Sequence, residues 1–286
     1  MRNRPFLATP GFKCVCLLAV LLMGVTRPGH ATHDETGTYQ FGVFPHFSAG
    51  QIENMFAPIA VDLSTALGRP VALKTKSSYA AFMTELDRET YDIAFIQPFD
   101  YVRAHDLHGY LPLARRGERL AALIAVKDDS PLKTLADLKG KKLGLPPEVA
   151  AVSHLTKMAL LKAHLDPRTD VKIQYYKAHD SCLQQVLIGE IAACGTAAYP
   201  IRFFENKWHV KFRVLAQSES ISHSLFVVHP RVSKSDRDVI LKTILSLPET
   251  AAGRKLLEKG ELKPFVAVTD AEYDSVRAYS RTMLKK

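Results

Sequence analysis

The chain has 286 residues, 47% of them apolar and 23% charged, with a formal net charge of +9. That is the make-up of a well-cored globular protein with one large domain or two lobes. The basic excess is spread along the sequence rather than gathered in a block, which leaves nucleic-acid binding with little support, and there is no internal repeat or low-complexity tract.

The N-terminus carries Arg2, Arg4 and Lys13 and no acid, then the unbroken apolar run CVCLLAVLLMGV, then RPGHA with small residues at Gly29 and Ala31. These are the three parts of a secretory signal peptide over residues 1–31. The run falls short of the ~20 apolar residues that span a bilayer comfortably, and an uncleaved membrane anchor is the alternative. No later run is long and apolar enough to cross a membrane. Cleavage makes Thr32 the first residue, removes Arg2, Arg4, Lys13 and Arg27, lowers the net charge to +5, and leaves Cys182 and Cys194 together in an oxidising compartment.

From residue 39 strand-like and helix-like segments alternate. YQFGVFP reads as a strand, and 48–68 as a helix with Ser48 as N-cap, Gly68 as stop and Met55, Ile59 and Leu67 on an apolar face. PVALKTK is a strand, SYAAFMTELDRE a helix capped by Ser77 or Ser78, and YDIAFIQP a strand apolar on both faces, as in a buried parallel sheet. GYLPLAR and RLAALIAVK follow as strands. Ser130 and Pro131 suit the start of a short helix. Residues 142–145 read as a strand and VSHLTKMALLKAHL as a helix that ends before Asp166-Pro167. VKIQYYK is a strand, DSCLQQVLIG a helix closed by Gly189, and IAACGTA a strand. After the strands VKFRVL and HSLFVVHP, three amphipathic helices, DRDVILKTILSL, ETAAGRKLLEKG and DAEYDSVRAYSRTML, return to the first lobe.

This alternation predicts two α/β lobes with helix-covered parallel sheets, lobe 1 from 37–124 and 219–286 and lobe 2 from 125–218. In open α/β sheets ligands lie beyond the carboxyl ends of the strands. That rule selects residues 45–48, 76–79, 97–101, 146–154, 178–181, 196–199 and 218–222.

Three stretches in this order carry a family resemblance: SSYAAFMTELDRETYDIAFIQPFDYVRA, DDSPLKTLADLKGKKLGL, and LDPRTDVKIQYYKAHDSCLQQVLIGEIAACGTAAY. Together they make the chain, over about 39–265, similar to the periplasmic phosphate, phosphite and phosphonate solute-binding proteins of ABC importers. The resemblance implies a type II periplasmic binding protein: two α/β lobes, a two-strand hinge at 120–127 and 215–226, and a ligand in the cleft between them. It implies no enzyme chemistry, no cofactor and no metal. The partners it implies are a small anionic solute and an ABC permease or, as for some relatives, a sensor kinase; the mature chain is expected to be a monomer free of the membrane. The family's Ser/Thr-rich anion turn reads PPEVAAVSH here, with Ser153 its one hydroxyl, and the strand IAACGTAAY lacks the acids that relatives use for aminophosphonates. Phosphate is therefore expected to bind less well than a smaller or less charged oxyanion, or than an organic phosphonate with an apolar tail against Val149 and Val152.

The resemblance also places individual residues. His179 stands where the family has a ligand-facing histidine, against the alternative of a surface helix-start residue, and Asp180 is expected to cap the helix. Tyr79 and Tyr101 match aromatic pocket positions, with ordinary packing as the alternative. Ser78, Ser153, Thr196 and Tyr199 are the further expected ligand contacts, with Phe99 or Phe47 as an apolar floor and the Gln97 amide able to read an oxygen or an N–H. His46 and His223 lie near candidate loops with nothing to single them out.

The cysteines open three readings: a metal site, a thiol active site or a staple. Cys182 begins a helix that climbs ~10 Å to Gly189, at 1.5 Å per residue. The strand from Ile191 to Cys194 descends ~10 Å, at 3.3 Å per residue. The two sulfurs return to one level, so a disulfide is expected. The rival is a thiol or metal enzyme built on His179, Asp180, Cys182 and Cys194, for which no third triad member, phosphate loop, nucleophile elbow or zinc motif appears.

Overall fold

Strand β1 (Tyr39–Val43) leads into α1 (Ala49–Leu67) through Ser48, whose hydroxyl accepts the Gln51 N–H while the Gln51 side chain returns to the Ser48 amide, and Gly68 ends the helix at φ 63°. The computed structural model describes residues 37–46, 48–259 and 262–284; the expected signal peptide, Thr32 and Phe47 lie outside them. β2 (Val71–Lys74), α2 (Tyr79–Asp87) and β3 (Ile93–Ile96) follow as expected. The next element, α3 (Pro98–His108), was not anticipated. Pro98 at its start and left-handed Gly109 at its end are ordinary boundary signals. Asp100, Arg103, His105, Asp106 and His108 break the apolar period that reveals most helices.

Two segments then cross between lobes. One runs from β4 (Leu111–Arg116) through β5 (Arg119–Leu120) to β6 (Leu123–Lys127). The other runs from β10 (Phe212–Gln217) through β11 (Ile221–Ser222) to β12 (Leu225–Val228). β5 and β11 pair antiparallel, Leu120 with Ile221 and Arg119 with Ser222, as a two-stranded ribbon separate from both large sheets. Among the described residues, lobe 1 holds a six-stranded sheet in the order β13-β4-β12-β3-β1-β2, where β13 is Phe265–Ala267. β1 lies parallel to β2 and β3, and β12 antiparallel to β3 and β4. The carboxyl ends of β1, β3 and β4 therefore share one edge.

Lobe 2 contributes β7 (Lys142–Leu145), α4 (Ala151–Lys162), β8 (Lys172–Tyr175), α5 (His179–Ile188), β9 (Ala193–Thr196) and α6 (Ala198–Trp208). Its sheet runs β10-β6-β9-β7-β8, with β7 parallel to β8 and β9. Two local expectations need correction. The short helix is a single 3₁₀ turn at Leu135–Leu138, not a helix begun by Ser130 and Pro131, because the Asp137 carboxylate gathers the Lys133 and Thr134 amides at 2.8 and 2.9 Å. α6 follows β9 directly, where no helix was anticipated. Helices α7 (Lys234–Leu245), α8 (Ala251–Lys259) and α9 (Asp274–Leu284) return to lobe 1, α7 against α1 and α9 against α3.

The lobe 1 core is aromatic: Phe95 lies 4.9 Å from Phe226 and 5.1 Å from Phe56, centroid to centroid. Its apolar cluster does not stop at the lobe boundary. Ala151, Val152 and Leu155, from the first turns of α4, belong to it, with Ala150 packed alongside. Lobe 2 carries separate apolar clusters of its own.

Cys182 and Cys194 form a disulfide, with Cα atoms 5.9 Å apart and both residues fully buried. Gly144 lets α5 sit this close, since a Cβ there would come within 2.8 Å of the Cys182 sulfur. The bridge joins α5 to β9 just behind the ends that carry His179 and Thr196. Thiol titration of the denatured, unreduced chain cleaved after Ala31 should find no free thiol, and reduction should lower stability to urea by ~2–3 kcal/mol. Two titratable thiols would contradict the bridge.

Candidate functional site

The carboxyl ends of the lobe 2 strands bring His179 and Thr196 together. His179 is the first residue of α5 and Thr196 the last of β9. His179 Nδ1 lies 2.7 Å from Thr196 Oγ1. Thr196 is fully buried, and enclosure lowers the His179 pKa to about 4, so the ring is neutral at neutral pH. Ser181 closes the start of α5, accepting the Ala178 N–H at 3.3 Å and donating to the Ala178 carbonyl at 2.8 Å; Asp180 does not cap it. Tyr199 is half-buried in the first turn of α6, with Arg116 of lobe 1 nearby.

The facing edge of lobe 1 holds a polar network. Ser78 caps α2, accepting the Ala81 N–H at 3.2 Å, and remains exposed. Tyr79 donates its hydroxyl to Asp100. Gln97 donates from Nε2 to Asp100 at 3.3 Å and to the Val149 carbonyl at 3.4 Å, and its Oε1 accepts the Ala151 N–H at 2.9 Å. Ala151 is the first residue of α4, and its amide has no partner within the helix. The amide oxygen of one lobe thus takes a helix-start N–H of the other, at the kind of position that receives an anion. Phe99 and His154 close the same seam, with ring centroids 4.8 Å apart. Asp100 is 7% exposed, and burial raises its pKa from 3.8 to about 7.

Two expected contacts are placed elsewhere. Ser153 is fully buried and commits its hydroxyl to the Pro146 and Pro147 carbonyls, at 3.2 and 3.0 Å, so it has no proton left for a ligand. Tyr101 is fully buried under the C-terminal segment: its hydroxyl donates to Asp270 at 2.5 Å and its ring meets Tyr273 at 4.7 Å.

Three residues stand at the same edge of lobe 1: His46 and His223, noted in the sequence but not singled out, and Arg116, which was not named. His46 follows β1, Arg116 ends β4, and His223 precedes β12. The His46 Nδ1–H donates to the Phe44 carbonyl at 2.8 Å, and His223 Nδ1 accepts the Ser224 N–H at 2.7 Å. Burial, with Arg116 nearby, lowers the His46 pKa to about 4 and that of His223 well below the ordinary range. Arg116 pairs with Glu118; among the described residues Arg116 Nε and Glu118 Oε2 are buried without a partner. The strand-end rule applied to GYLPLAR as well would have named Arg116.

Among the described residues, no three His, Cys, Asp or Glu side chains gather as a metal set, and no helix is long and apolar enough to cross a membrane.

The family model for the periplasmic substrate-binding protein of phosphonate ABC transporters matches residues 41–273. No curated protein sequence matches the chain. Among solved structures, PhnD1 from Prochlorococcus marinus in complex with methylphosphonate superposes with a TM-score of 0.75 at 15% identity, covering 88% of this chain and 100% of that one. A binding-protein component of a phosphonate ABC transporter from Pseudomonas aeruginosa gives 0.72 at 16% identity, covering 86% of each. The periplasmic aliphatic sulphonate binding protein SsuA from Escherichia coli gives 0.63 at 14% identity, covering 87% of each. At these identities the superpositions establish the fold, a two-lobed type II periplasmic binding protein.

Half-buried histidines and the buried Asp100 set an acid-side stability profile. His46, His154 and His179 have folded pKa values of about 4 against an ordinary 6.5, so the stability they contribute is present above 6.5 and is lost as pH falls toward 4. Asp100 works in the opposite sense: its raised pKa makes stability fall as pH rises from 3.8 through about 7. Relative to the parent protein, Asp100→Asn should therefore gain stability from about pH 4 to about pH 7 and level off above. Urea unfolding at stepped pH checks this, and a difference that is flat in pH would show that Asp100 ionises normally.

Proposed function

The chain belongs to the family of periplasmic substrate-binding proteins of phosphonate ABC transporters, and from that premise we propose that it captures a small phosphonate-, phosphite- or phosphate-like oxyanion between its lobes for delivery to an ABC permease. Members of this family bind substrates rather than transform them, and their compartment is the periplasm. The observation that carries the ligand reading is the His179–Thr196 pair at the start of α5. With Thr196 donating to Nδ1, the neutral ring holds its proton on Nε2, and that N–H together with the first amides of α5 forms a donor set for an oxyanion.

Tyr199 supplies a further wall from lobe 2, and from lobe 1 Ser78 supplies a hydroxyl that keeps its own proton, with the Tyr79 ring beside it, the Tyr79 proton being held by Asp100. The ribbon of β5 and β11 is the natural hinge, because its short pairing is independent of both lobe sheets. The disulfide behind α5 and β9 holds His179 and Thr196 in register, so the donors are arranged before the ligand arrives. The protein acts as a monomer that presents its closed lobes to the permease.

Losing one donor to a charged ligand typically costs ~1.5–3 kcal/mol, about ten- to a hundredfold in affinity. His179→Ala should weaken binding of the best ligand among methylphosphonate, phosphite and phosphate by that factor, with an unchanged circular dichroism spectrum. Titration calorimetry on the mature protein checks it; tight binding that survives His179→Ala would place the site elsewhere.

A further inference from the structure

Apart from Lys177 and Arg119, which are exposed to water, the charges around the cleft are nearly balanced. The α4 start offers no open anion cradle, since Gln97 holds the Ala151 amide. Its neighbours Ala150 and Val152 have no polar side chain, and the Ser153 hydroxyl is turned to Pro146 and Pro147. In lobe 1, Arg116 is matched by Glu118. Two cations near the strand ends are matched as well, Lys76 by Glu85 at 3.6 Å and Lys157 by Glu148 at 2.8 Å. His46, His223, His154 and His179 are enclosed and neutral, and their low pKa values agree with that enclosure. Asp100, held by Tyr79 and Gln97, adds negative charge when it ionises. What remains for a ligand is mainly a set of neutral donors, the His179 ring and helix-start amides, beside the Arg116 guanidinium, whose charge Glu118 balances and whose Nε–H is buried with no partner among the described residues.

Such a site treats one charge and two charges differently. The cost of removing an ion from water rises with the square of its charge, and in proteins is several kcal/mol per unit charge after relaxation. Hydrogen bonds from fixed neutral donors strengthen only about in proportion to charge. A second negative charge is therefore stripped of water without a matching cation. We propose that this cleft selects singly charged oxyanions, of the sulfonate or hydrogen-phosphonate type, over doubly charged ones of the same shape. This rests on the reading that the cleft binds an oxyanion, and adds which charge state it takes.

Methanesulfonate and methylphosphonate separate the two, because both present three oxygens on a methyl-bearing centre. Methanesulfonate keeps one charge throughout, whereas methylphosphonate passes from one to two as pH rises. Calorimetry with both on the mature protein and on its Asp100→Asn variant, across roughly pH 6 to 8.5, gives the ratio of their dissociation constants; the variant removes the charge that Asp100 would gain in this range, which weighs more on a doubly charged ligand than on a singly charged one. The ratio should move toward methanesulfonate with rising pH, reaching about tenfold or more at the alkaline end. A ratio that is flat, or that moves toward methylphosphonate, overturns the charge selection and leaves oxyanion binding standing. Failure of both probes at every pH counts instead against the oxyanion reading itself. Glu118→Gln, which leaves Arg116 unmatched, should shift the alkaline ratio back toward methylphosphonate by about tenfold. An unchanged ratio in a folded variant would remove the Arg116–Glu118 balance from the account, and if the variant does not fold, the parent ratio decides alone.

Discussion

One hydrogen bond from lobe 1 to lobe 2, the Ala151 N–H to the Gln97 amide oxygen, sets the terms for the cleft. A helix start has amides with no internal partner, and they must be satisfied by a side chain, water or an anion. Here the satisfying group is neutral and comes from the opposite lobe. Asp100 accepts the Gln97 N–H at one oxygen and the Tyr79 O–H at the other, so the amide is oriented from behind by a chain of bonds. Around it, Ala151, Val152 and Leu155 extend the lobe 1 core into lobe 2. Apolar burial is non-directional and supplies the adhesion, whereas the Gln97 bond fixes the register of the two lobes.

The same arrangement accounts for the chemistry left to the rest of the cleft. With the Ala151 amide engaged by Gln97, the donors proposed for a ligand lie at α5, where His179 Nδ1 meets Thr196 Oγ1 and the disulfide joins α5 to β9. Burial keeps the histidines neutral, and Glu118 compensates Arg116. In the proposed site, recognition would rely on placed hydrogen-bond donors more than on net charge, which favours discrimination by shape and protonation state over raw electrostatic attraction.

Much of the fold was legible in local signals. Ser48 and Gly68 bound α1, Ser78 starts α2, Gly189 ends α5, and the climb and descent of α5 and β9 pair Cys182 with Cys194. α3 was missed because charged residues and histidines interrupt its apolar face, although Pro98 and Gly109 mark its ends. The site was less legible because its partners are distant in sequence. The Tyr101 hydroxyl finds Asp270 across 169 positions, and Gln97 finds Ala151 across 54. Nothing local distinguishes a Ser153 hydroxyl facing a ligand from one turned onto the carbonyls of its own turn. The grouping of His46, Arg116 and His223 exists only once β1, β4 and β12 lie in one sheet.

The most direct test of the interlobe bond is hydrogen exchange at the Ala151 amide, resolved by nuclear magnetic resonance in ligand-free protein. The first N–H of a helix has no helical partner to protect it, so protection there must come from Gln97. Slow exchange in the parent protein that speeds up by about tenfold or more in Gln97→Ala, a loss of ~1.4 kcal/mol, is the predicted result. Equally rapid exchange in both proteins would contradict it.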